Sequence, residues 1–417
     1  MTKQPLTDQR TAAEIRRSNI RNILLLLSRA TAQRNRMSRQ DLCEFTGLTG
    51  AGLSRNLQEL LHAGLVQEVS EQPVEGRLGR RRMLIQLNSS GAFVIGITIA
   101  ANRKSISIMN AASEIVAEIE IPELRFVDPK GAIKKFAIAS KKLIEENDIC
   151  PSRILGAGVV IGSPDSSIDM SRRTVSSHAL GWVREPVGEV LEDLLNLPIK
   201  VVSRPQALLQ VEMERLYDSR ASKAFLLINC GIGLGAAFQV INQPGEHLIA
   251  RTIKVSHVSL PNDDTLCYCG RIGCLEQTAG GAGVVRKLFK DDIHAHLNFE
   301  LASEYLDRAF ELAASGNHEA RDAFFSTGRR FAKGIDIADA MLQPDQIFVA
   351  GEVGRHPDFV RGVWFGLSES LSDIGPEKLS IRETRSAYAS GLFALNEFLF
   401  SENLDLQFLQ SQNLAAS

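Results

Sequence analysis

The sequence predicts an α/β protein that begins with a small, mainly helical domain. Beyond residue 91, β-branched runs such as AFVIGITIA and ILGAGVVIGSP alternate with amphipathic stretches such as DPKGAIKKFAIASKKLIEEND, a pattern typical of α/β sheets. Before residue 88, apolar residues recur mainly with helical spacing. A chain of 417 residues is long enough for two or three domains.

The first two helices can be placed from their caps and their spacing. Residues 1–12 are polar and aperiodic, and we expect them to form a loose arm. Apolar residues recur with helical period over residues 13–30, which predicts a first helix with one buried face. Ser38, with Asp41 three residues later, has the spacing of a capping box and begins a second helix that Gly47 ends.

A third helix is predicted from Thr49, its cap, through GAGLSRNLQELLHA to Gly64. Its buried stripe is expected to contain Leu53, Leu57, Leu60 and Leu61, and the second helix is expected to bury Leu42 and Phe45. The opposite face of the third helix carries Gly50, Ser54, Arg55 and Gln58.

Two short strands, LVQEVS and MLIQLN, follow the third helix and flank QPVEGRLGRRR, which contains four arginines and two glycines. Three helices followed by such a hairpin are typical of a winged helix-turn-helix domain, which binds DNA. We assign this domain to residues 13–88. The alternative is a small helical domain with a solvated run of charge.

Charge also distinguishes this head from the rest of the chain. Residues 1–83 contain fourteen Lys and Arg against eight Asp and Glu, whereas the whole chain carries a net charge of −2. A basic head on an acidic body indicates a polyanionic partner, here a double-stranded DNA operator. The expected contacts are Thr49, Ser54, Arg55 and Asn56 in the major groove and Arg77, Arg80 and Arg81 on the wing.

The body begins after a junction at residues 88–91. Three β-rich runs at hairpin spacing, an amphipathic helix and a buried strand follow in that order. The run KAFLLINCGIGLGAAFQVI then predicts a second hairpin, helices are expected from Leu275 to Ala340, QIFVAGEVG is a further strand, and ALNEFLF closes the body. Residues 401–417 are expected to be a mobile tail.

Three of the six cysteines, Cys267, Cys269 and Cys274, fall within eight residues, and His257 lies ten positions before the first of them. Three thiolates and an imidazole form a closed, tetrahedral, structural zinc site, so Zn²⁺ is the expected cofactor. A disulfide is the alternative. Because the chain has no signal peptide and no apolar run of about 20 residues, we expect a cytoplasmic protein without membrane association, whose thiols stay reduced.

The same stretch resembles the signature of the ROK family (repressor, open reading frame, kinase). The family pattern of glycine, histidine, a spacer and C-x-C-G-x-x-G-C-L-E stands here as Ser256, His257 and residues 267–276. The resemblance covers about residues 91–400 and implies an actin-like (ribonuclease H-like) two-lobed sugar-kinase fold. The lobes are expected at residues 91–203, with a helix at 386–400, and at 204–385. Some family members are enzymes, and others are the sensor halves of transcription factors.

The nucleotide-binding glycines of the family are only partly present. Its early D-x-G-G-T-K turn aligns with residues 98–103, TIAANR, which lack both glycines and the aspartate. A second turn survives as the G-x-G-x-G run from Gly231 to Gly235, and Gly351 matches part of a later glycine cluster. A lone G-x-G-x-G run is a weak signal, and a tight hairpin turn retained for folding explains it better than nucleotide binding does.

The catalytic Asn-Asp pair of the family aligns with Ser203 and Arg204. The aspartate acts there as a general base, whereas a guanidinium stays protonated and cannot accept the proton of a sugar hydroxyl. We therefore expect a catalytically inactive regulator, a repressor of carbohydrate-metabolism genes that forms a homodimer or homotetramer. The alternative is an ATP-dependent sugar kinase with an accessory DNA-binding head.

The resemblance also implies a set of effector contacts. The positions that hold the sugar in the family are here Ser203, Arg204, Lys254, His257 and Glu276. At two of these positions a carboxylate of the family, which accepts hydrogen bonds, is replaced by a cation, Arg204 or Lys254. The guanidinium group of arginine can bind a carboxylate or a phosphate through two parallel hydrogen bonds. We expect an anionic, sugar-derived effector, such as a sugar acid or a phosphosugar, held by Arg204 and Lys254. The alternative is a decayed pocket in which Arg204 or Lys254 pairs with Glu276.

Overall fold

The computed structural model describes residues 11–33, 35–70, 83–162, 167–177, 179–216, 223–241, 250–261, 263–290 and 299–416. The N-terminal domain within them has helices α1 (Ala12–Ala32), α2 (Arg39–Thr46) and α3 (Gly50–His62). Its strands are β1 (Met37–Ser38), β2 (Val66–Ser70) and β3 (Met83–Leu87), which form an antiparallel sheet in the order β1-β3-β2. Three helices with a small sheet are the arrangement that the sequence predicts for this segment.

The helix caps of the head lie where the sequence places them. Ser38 and Asp41 form the capping box of α2, and the hydroxyl of Thr49 accepts a hydrogen bond from the amide of Gly52, 3.2 Å away. Gly47 ends α2 with φ of +70°, a left-handed conformation that glycine adopts without strain. These caps are local interactions, which is why the sequence alone identifies them.

Phe45 is not buried, which corrects the expectation for α2. Its side chain is 71% exposed, whereas Leu42 is fully buried. Helix α2 contains eight residues, and Leu42 is the only buried residue among them. Phe45 lies on the same side of the helix as Leu42 but in the last turn before Gly47, so the packed part of α2 ends with Leu42.

The first lobe of the body is a five-stranded mixed sheet in the order β11-β7-β4-β5-β6. Its elements are β4 (Phe93–Ala100), β5 (Lys104–Asn110), β6 (Ile115–Glu120), α4 (Pro129–Glu146), β7 (Ile154–Gly162), β8 (Ser167–Asp169), β9 (Thr174–Ser177), β10 (Trp182–Glu185), α5 (Val187–Leu195) and β11 (Ile199–Ser203). Strands β4, β5 and β6 are antiparallel, whereas β7 and β11 run parallel to β4. Strands β8, β9 and β10 form a separate small sheet.

The second lobe repeats this topology. Its elements are α6 (Arg204–Arg215), β12 (Lys223–Cys230), β13 (Leu234–Ile241), β14 (Arg251–Ile253), α7 (Leu275–Thr278), α8 (Gly281–Leu288), α9 (Phe299–Ala314), α10 (His318–Leu342), β15 (Gln346–Ala350), α11 (Pro357–Glu369) and β16 (Leu379–Ile381). The sheet order is β14-β13-β12-β15-β16, again an antiparallel hairpin beside two parallel strands. The predicted repetition of the layout in the second half of the body is confirmed.

Two helices lie between the sheets of the lobes. Helix α12 (Ser386–Phe398) packs on β4, β5 and β7, and α6 packs on α12, β12 and β13. Glycine allows the close approach of α12, because a Cβ on Gly96 would lie 2.5 Å from the amide nitrogen of Gly391. The fold therefore places the start of α6, at Arg204, beside the cleft between the lobes.

Residues 406–416 form a helix, α13 (Leu406–Ala416), which corrects the expectation of a mobile tail. Leu409 is fully buried, and α13 packs against α3 and against the turn at Pro151–Arg153. The Nε2 atom of Gln410 also donates to the backbone oxygen of Glu59 in α3, at 3.3 Å. The sequence alone predicts a tail here because the segment has few apolar residues and because the residues that it packs against lie hundreds of positions earlier in the chain.

One buried apolar cluster runs from the head into the body. It joins Leu24 and Leu57 of the head to Leu395, Phe400 and Leu409 of the body and the C-terminal helix. The head is therefore packed onto the body along a continuous core. No helix in the described parts of the chain combines the length and the apolar character that a membrane crossing requires.

Candidate functional site

The exposed face of α3 presents part of the predicted DNA-reading set. Thr49, Ser54 and Arg55 are exposed. Arg55 makes no hydrogen bond or ion pair with another described residue, whereas the Ser54 hydroxyl accepts a hydrogen bond from Arg39, 3.1 Å away. Arg39 also pairs with Glu68 at 2.8 Å, so this face carries one paired and one free guanidinium.

Asn56 does not share this face, and the sequence-based assignment is corrected there. Its side chain is only 5% exposed. Asn56 lies three residues after Leu53 and four before Leu60, which puts it on the buried stripe of the helix. Arg77, Arg80 and Arg81 of the predicted wing lie outside the described residues, although the strands on either side of that segment, β2 and β3, pair as a hairpin.

The predicted metal ligands lie together. One ligand atom from each of His257, Cys267, Cys269 and Cys274 falls within 4.8 Å of every other. The sulfurs of Cys269 and Cys274 are 3.7 Å apart, and the Cys267 sulfur is 3.8 Å from Nδ1 of His257. Ligands of a tetrahedral zinc ion with bonds of about 2.3 Å are separated by about 3.8 Å. The four residues can therefore bind a metal, and their spacing fits zinc.

The backbone around this cluster is held by turns and by ion pairs of Asp263 with Arg330 and with Arg286. Gly270 and Gly273 have φ of +83° and +75°, which non-glycine residues rarely adopt. Asp263 in the same loop pairs with Arg330 of α10 and accepts a hydrogen bond from the amide of Thr265, 3.0 Å away. The loop is thus fixed to the helical layer of the second lobe.

The thiols of the cluster need a cation to be charged together. Burial raises the pKa of Cys267 and of Cys274. Burial acts in the same direction on Cys269, but hydrogen bonds from Arg271 and from the neighbouring thiols lower its pKa to about 7. A divalent ion bound between the sulfurs would supply the charge that three adjacent thiolates require.

Ser203 and Arg204 stand at the junction of β11 and α6. The Ser203 hydroxyl donates to Oε1 of Gln206 at 2.6 Å and lies 3.2 Å from the hydroxyl of Thr252. Ser203 and Gln206 together form the capping box of α6. Ser203 is therefore bonded within the structure, and Arg204, the first residue of the helix, is the group that faces the cleft.

The Arg204 guanidinium is poorly compensated. Its Nε atom is buried and has no hydrogen-bond partner among the described residues. Burial lowers the pKa of Arg204, Glu352 acts in the opposite direction, and the guanidinium groups of Arg103 and Arg355 lower it further. Glu352 is thus the carboxylate that acts in favour of the charged guanidinium, against burial and the two neighbouring arginines.

Arg204 lines a cavity of about 370 Å³ between the lobes. The charged residues of its wall are Arg103, Arg204, Arg355 and Arg385, with Glu118, Glu120, Glu352 and Glu383. A smaller cavity adjoins it at Asn102, Arg204 and Asn229, beside the Gly231–Gly235 turn. Of the charged residues in this wall, the sequence analysis assigned only Arg204 to the effector, since Arg103, Arg355 and Arg385 come from segments far apart in the chain.

The other predicted effector residues are distributed differently. Lys254 is exposed and does not line this cavity. His257 belongs to the metal cluster, and Glu276, 1% exposed, accepts a hydrogen bond from the amide of Leu234 at 2.9 Å. Neither Arg204 nor Lys254 forms an ion pair with Glu276 in the described structure. The five residues therefore do not surround a single cavity.

A helical head is joined to two lobes of the same mixed-sheet topology, and a His/Cys cluster on the second lobe could hold a metal. These features define the two-lobed sugar-kinase fold. The ROK family model matches residues 94–391 of this chain. The chain therefore belongs to the ROK family.

Among the relatives in sequence, a xylose repressor of Caldicellulosiruptor bescii is 24% identical over 335 residues, which cover 79% of this chain and 82% of the relative. The transcriptional dual regulator NagC of Escherichia coli is 23% identical over 329 residues, which cover 76% and 77%. These matches extend over most of each protein.

Solved structures show the same fold. A ROK family transcriptional regulator described as a homologue of the E. coli MLC protein superposes with a TM-score of 0.68 at 17% identity, covering 97% of this chain and all of the other. A ROK family glucokinase of Streptomyces griseus in complex with glucose and AMPPNP gives a TM-score of 0.56 at 18% identity, covering 73% and 99%. The match to the regulator extends over the N-terminal domain as well.

Proposed function

We propose that this chain is a DNA-binding transcriptional regulator, a repressor of carbohydrate-metabolism genes, whose body senses a sugar-derived effector. The observation that carries the proposal is the head, in which an exposed face of α3 with a free Arg55 stands beside a β-hairpin. The names of the relatives, a xylose repressor and a transcriptional regulator, support the same assignment.

The proposed DNA interface has two parts. Thr49, Ser54 and Arg55 reach the major groove from the N-terminal half of α3, as in other helix-turn-helix proteins. Arg77, Arg80 and Arg81 contact the backbone or the minor groove from the wing. Asn56 is left out because it is buried. A single head offers few base contacts, so a homodimer or homotetramer binds an operator with repeated half-sites.

The proposed body is a sensor that does not phosphorylate sugars. Arg204 stands where the family resemblance expects the general base, and a guanidinium cannot accept a proton. The competing assignment is an ATP-dependent sugar kinase with an accessory DNA-binding head. The similarity of the fold to that of a ROK glucokinase favours this alternative. A coupled assay for ATP consumption over a panel of sugars distinguishes the two, because turnover with any sugar would favour the kinase.

The proposed cofactor is structural zinc, held by His257, Cys267, Cys269 and Cys274. All four ligands come from the protein, which leaves no open position for a substrate. The effector contacts implied by the family are Ser203, Arg204, Lys254, His257 and Glu276, and the two cations among them favour an anionic effector. The metal loop would stabilise the lobe that carries Lys254 and Glu276.

Selection of duplexes from a random DNA pool by the full-length protein tests the proposed function. We expect one sequence family to be enriched, with half-site symmetry, and to bind at least about 10³-fold more tightly than a scrambled duplex at physiological salt. Arg55→Ala should reduce this ratio, whereas Arg172→Ala, an exposed arginine on the first lobe, should not. Binding without sequence preference would overturn the assignment as a regulator.

A further inference from the structure

Helices α10 and α11 of the second lobe lie in backbone contact, which glycines make possible. A Cβ on Gly366 would lie 2.7 Å from the backbone oxygen of Arg329, and a Cβ on Gly328 or on Gly362 would collide with the backbone of the opposite helix. Side chains cannot fit between helices that approach this closely. The larger residues beside the glycines therefore point either into the core or out to solvent.

Two phenylalanines and two arginines form a ladder on the solvent side of these helices. The rings of Phe325 in α10 and Phe365 in α11 have centroids 5.5 Å apart. The guanidinium group of Arg361 lies over the Phe325 ring at 5.1 Å, and that of Arg329 lies over the Phe365 ring at 5.5 Å. Phe365 is 46% exposed, and both arginines are exposed. We call this surface the α10/α11 face.

The composition of the α10/α11 face is that of a protein interface. Aromatic residues and arginine are enriched at such interfaces, whereas lysine is depleted, and a few aromatic and arginine side chains supply most of the binding energy. Stacking of each arginine on a ring also holds the ladder in one conformation before any partner arrives. Less side-chain entropy is then lost when a partner binds.

Charge along α11 indicates which partner fits. Arg361, Phe365 and Glu369 are spaced by four residues and share one side of the helix. Each step of four residues is about 6 Å along the helix axis. The stripe therefore has a positive end, an aromatic centre and a negative end, with the centre midway between the two charges.

We propose that the α10/α11 face is the two-fold interface between two copies of this chain. If α11 of a second copy packs antiparallel across an axis beside Phe365, the two phenylalanines meet at the centre. Arg361 of each copy then lies opposite Glu369 of the other, so both charge contacts are attractive by symmetry. A parallel arrangement would place like charges opposite each other. The aromatic centre supplies the affinity, and the charges fix the orientation.

The charges of the stripe also have partners within their own chain. Arg361 lies 3.0 Å from Asp358, and Glu369 pairs with Arg329. These pairs are exposed on at least one side and hold the two charged ends in place. The face therefore carries both signs of charge in a fixed arrangement, which suits a copy of itself better than a partner of one charge.

The inference deepens the proposed function and rests on it, because an operator with two half-sites needs two heads and therefore two chains. Helices α10 and α11 belong to a different apolar cluster from the one that joins the head to the body. A contact through the α10/α11 face thus leaves the DNA-reading face of α3 free in both copies.

Sedimentation equilibrium of the full-length protein without DNA tests the interface. We expect the wild type to dimerise, and Phe365→Asp to raise the dimer Kd by about 30-fold or more, as for a central interface residue. Ile138→Asp is the matched control, because Ile138 is an exposed apolar residue, 64% exposed, on α4 of the first lobe. It should leave the Kd unchanged. A monomeric wild type, or a dimer that Phe365→Asp does not weaken, would overturn the inference.

Exchanging the two charges tests the antiparallel arrangement. Arg361→Glu and Glu369→Arg should each weaken self-association by about tenfold or more, because like charges then face each other twice in a homodimer. An equimolar mixture of the two variants should form a heterodimer nearly as tightly as the wild type, since both contacts become attractive again. Thermal melting of each variant shows that it is folded. A mixture that associates no more tightly than the separate variants would sink this arrangement.

Binding of the same preparations to a selected duplex separates this inference from the proposed function. If the wild type selects a duplex while its self-association ignores Phe365→Asp, the interface is wrong and the regulator assignment stands. If the chain dimerises through this face but selects no duplex, the regulator assignment fails and the interface remains.

Discussion

Arg21 in the middle of α1 donates a hydrogen bond from Nε to the backbone oxygen of Phe400, 2.9 Å away. Arg21 is itself buried, and Phe400 belongs to the apolar cluster that links head and body. Arg153 of the body donates in a similar way to the backbone oxygen of Ala63, at 2.8 Å, just after α3. The head is thus held to the body by arginine side chains that donate hydrogen bonds to backbone carbonyl groups on both sides of the junction.

The contact between α13 and α3 should contribute to the stability of the head. Leu409→Ala removes a fully buried side chain, and we expect a loss of about 2–3 kcal/mol in the free energy of unfolding. We also expect weaker DNA binding, because α3 loses part of its support. Chemical denaturation followed by tryptophan fluorescence and binding to a selected duplex measure the two effects.

Phe408→Ala is the matched control for this contact. Phe408 is the neighbouring residue on the same helix and is 45% exposed. The substitution Phe408→Ala should lower the free energy of unfolding by less than half as much as Leu409→Ala does. Equal effects of the two substitutions would show that α13 does not pack on α3 through Leu409.

The wing arginines should contribute to DNA affinity mainly through phosphate. Replacing Arg80 by alanine should lower the slope of log affinity against log salt concentration by about one unit, because one fewer counterion is released on binding. Fluorescence anisotropy over a salt series measures the slope, with Arg172→Ala on the body as the control. If Arg77, Arg80 and Arg81 could each be replaced without a change in slope, the wing would not contact the DNA backbone.

The features that the sequence predicted correctly depend on neighbours in the chain. The capping box of Ser38 and Asp41, the glycine that ends α2, and the cluster of His257 with three cysteines all involve residues within twenty positions of one another. Binary patterning also identified the longer strands of both lobes, because a buried strand is apolar whatever it packs against, but it missed the short strands β8 to β10, β14 and β16.

Most of the features that it missed depend on partners far away in the chain. The burial of Asn56 is the exception, because it follows from the spacing of the buried stripe within α3. Helix α13, in contrast, packs on α3 across more than 300 residues of sequence. The cavity at Arg204 brings together Arg103, Arg204 and Arg355 from three separate segments. Only the topology of the two sheets, with α6 between them, determines that these arginines meet.

The metal cluster should hold one zinc ion per chain and stabilise the loop that contains it. Cys274→Ser should lower the zinc content and the thermal midpoint, because the binding free energy of a structural metal contributes to folding. Cys150→Ser, an exposed cysteine on the first lobe, should change neither. Elemental analysis that finds less than about half a zinc per carefully purified wild-type chain would count against the assignment.

Glu214 of α6 should make the junction of head and body sensitive to pH. Burial raises the pKa of its carboxyl to about 7, against a hydrogen bond from Asn396 of α12 and the positive charge of Arg29 of α1, which both act to lower it. Tyr388, whose pKa is also raised by burial and then by Glu214, faces the same carboxyl. The Glu214 carboxyl therefore lies where the helices α1, α6 and α12 meet.

The sign of the effect follows from the direction of the shift. A carboxyl whose pKa is raised in the folded state favours the protonated form, so it destabilises the fold once the pH exceeds the pKa of the unfolded chain, and the penalty is complete above about 7. Glu214→Gln retains an acceptor for Asn396 without the charge. We expect the variant to match the wild type near pH 4 and to exceed it by on the order of 2 kcal/mol near pH 8.

Chemical denaturation of both proteins between about pH 4 and 8 measures this difference. Glu145→Gln on α4, an exposed glutamate in the first lobe, should track the wild type across the whole range. A constant difference between Glu214→Gln and the wild type over this range would mean that the carboxyl keeps one charge state throughout. In that case the contact of α1 with α6 would not respond to pH through Glu214.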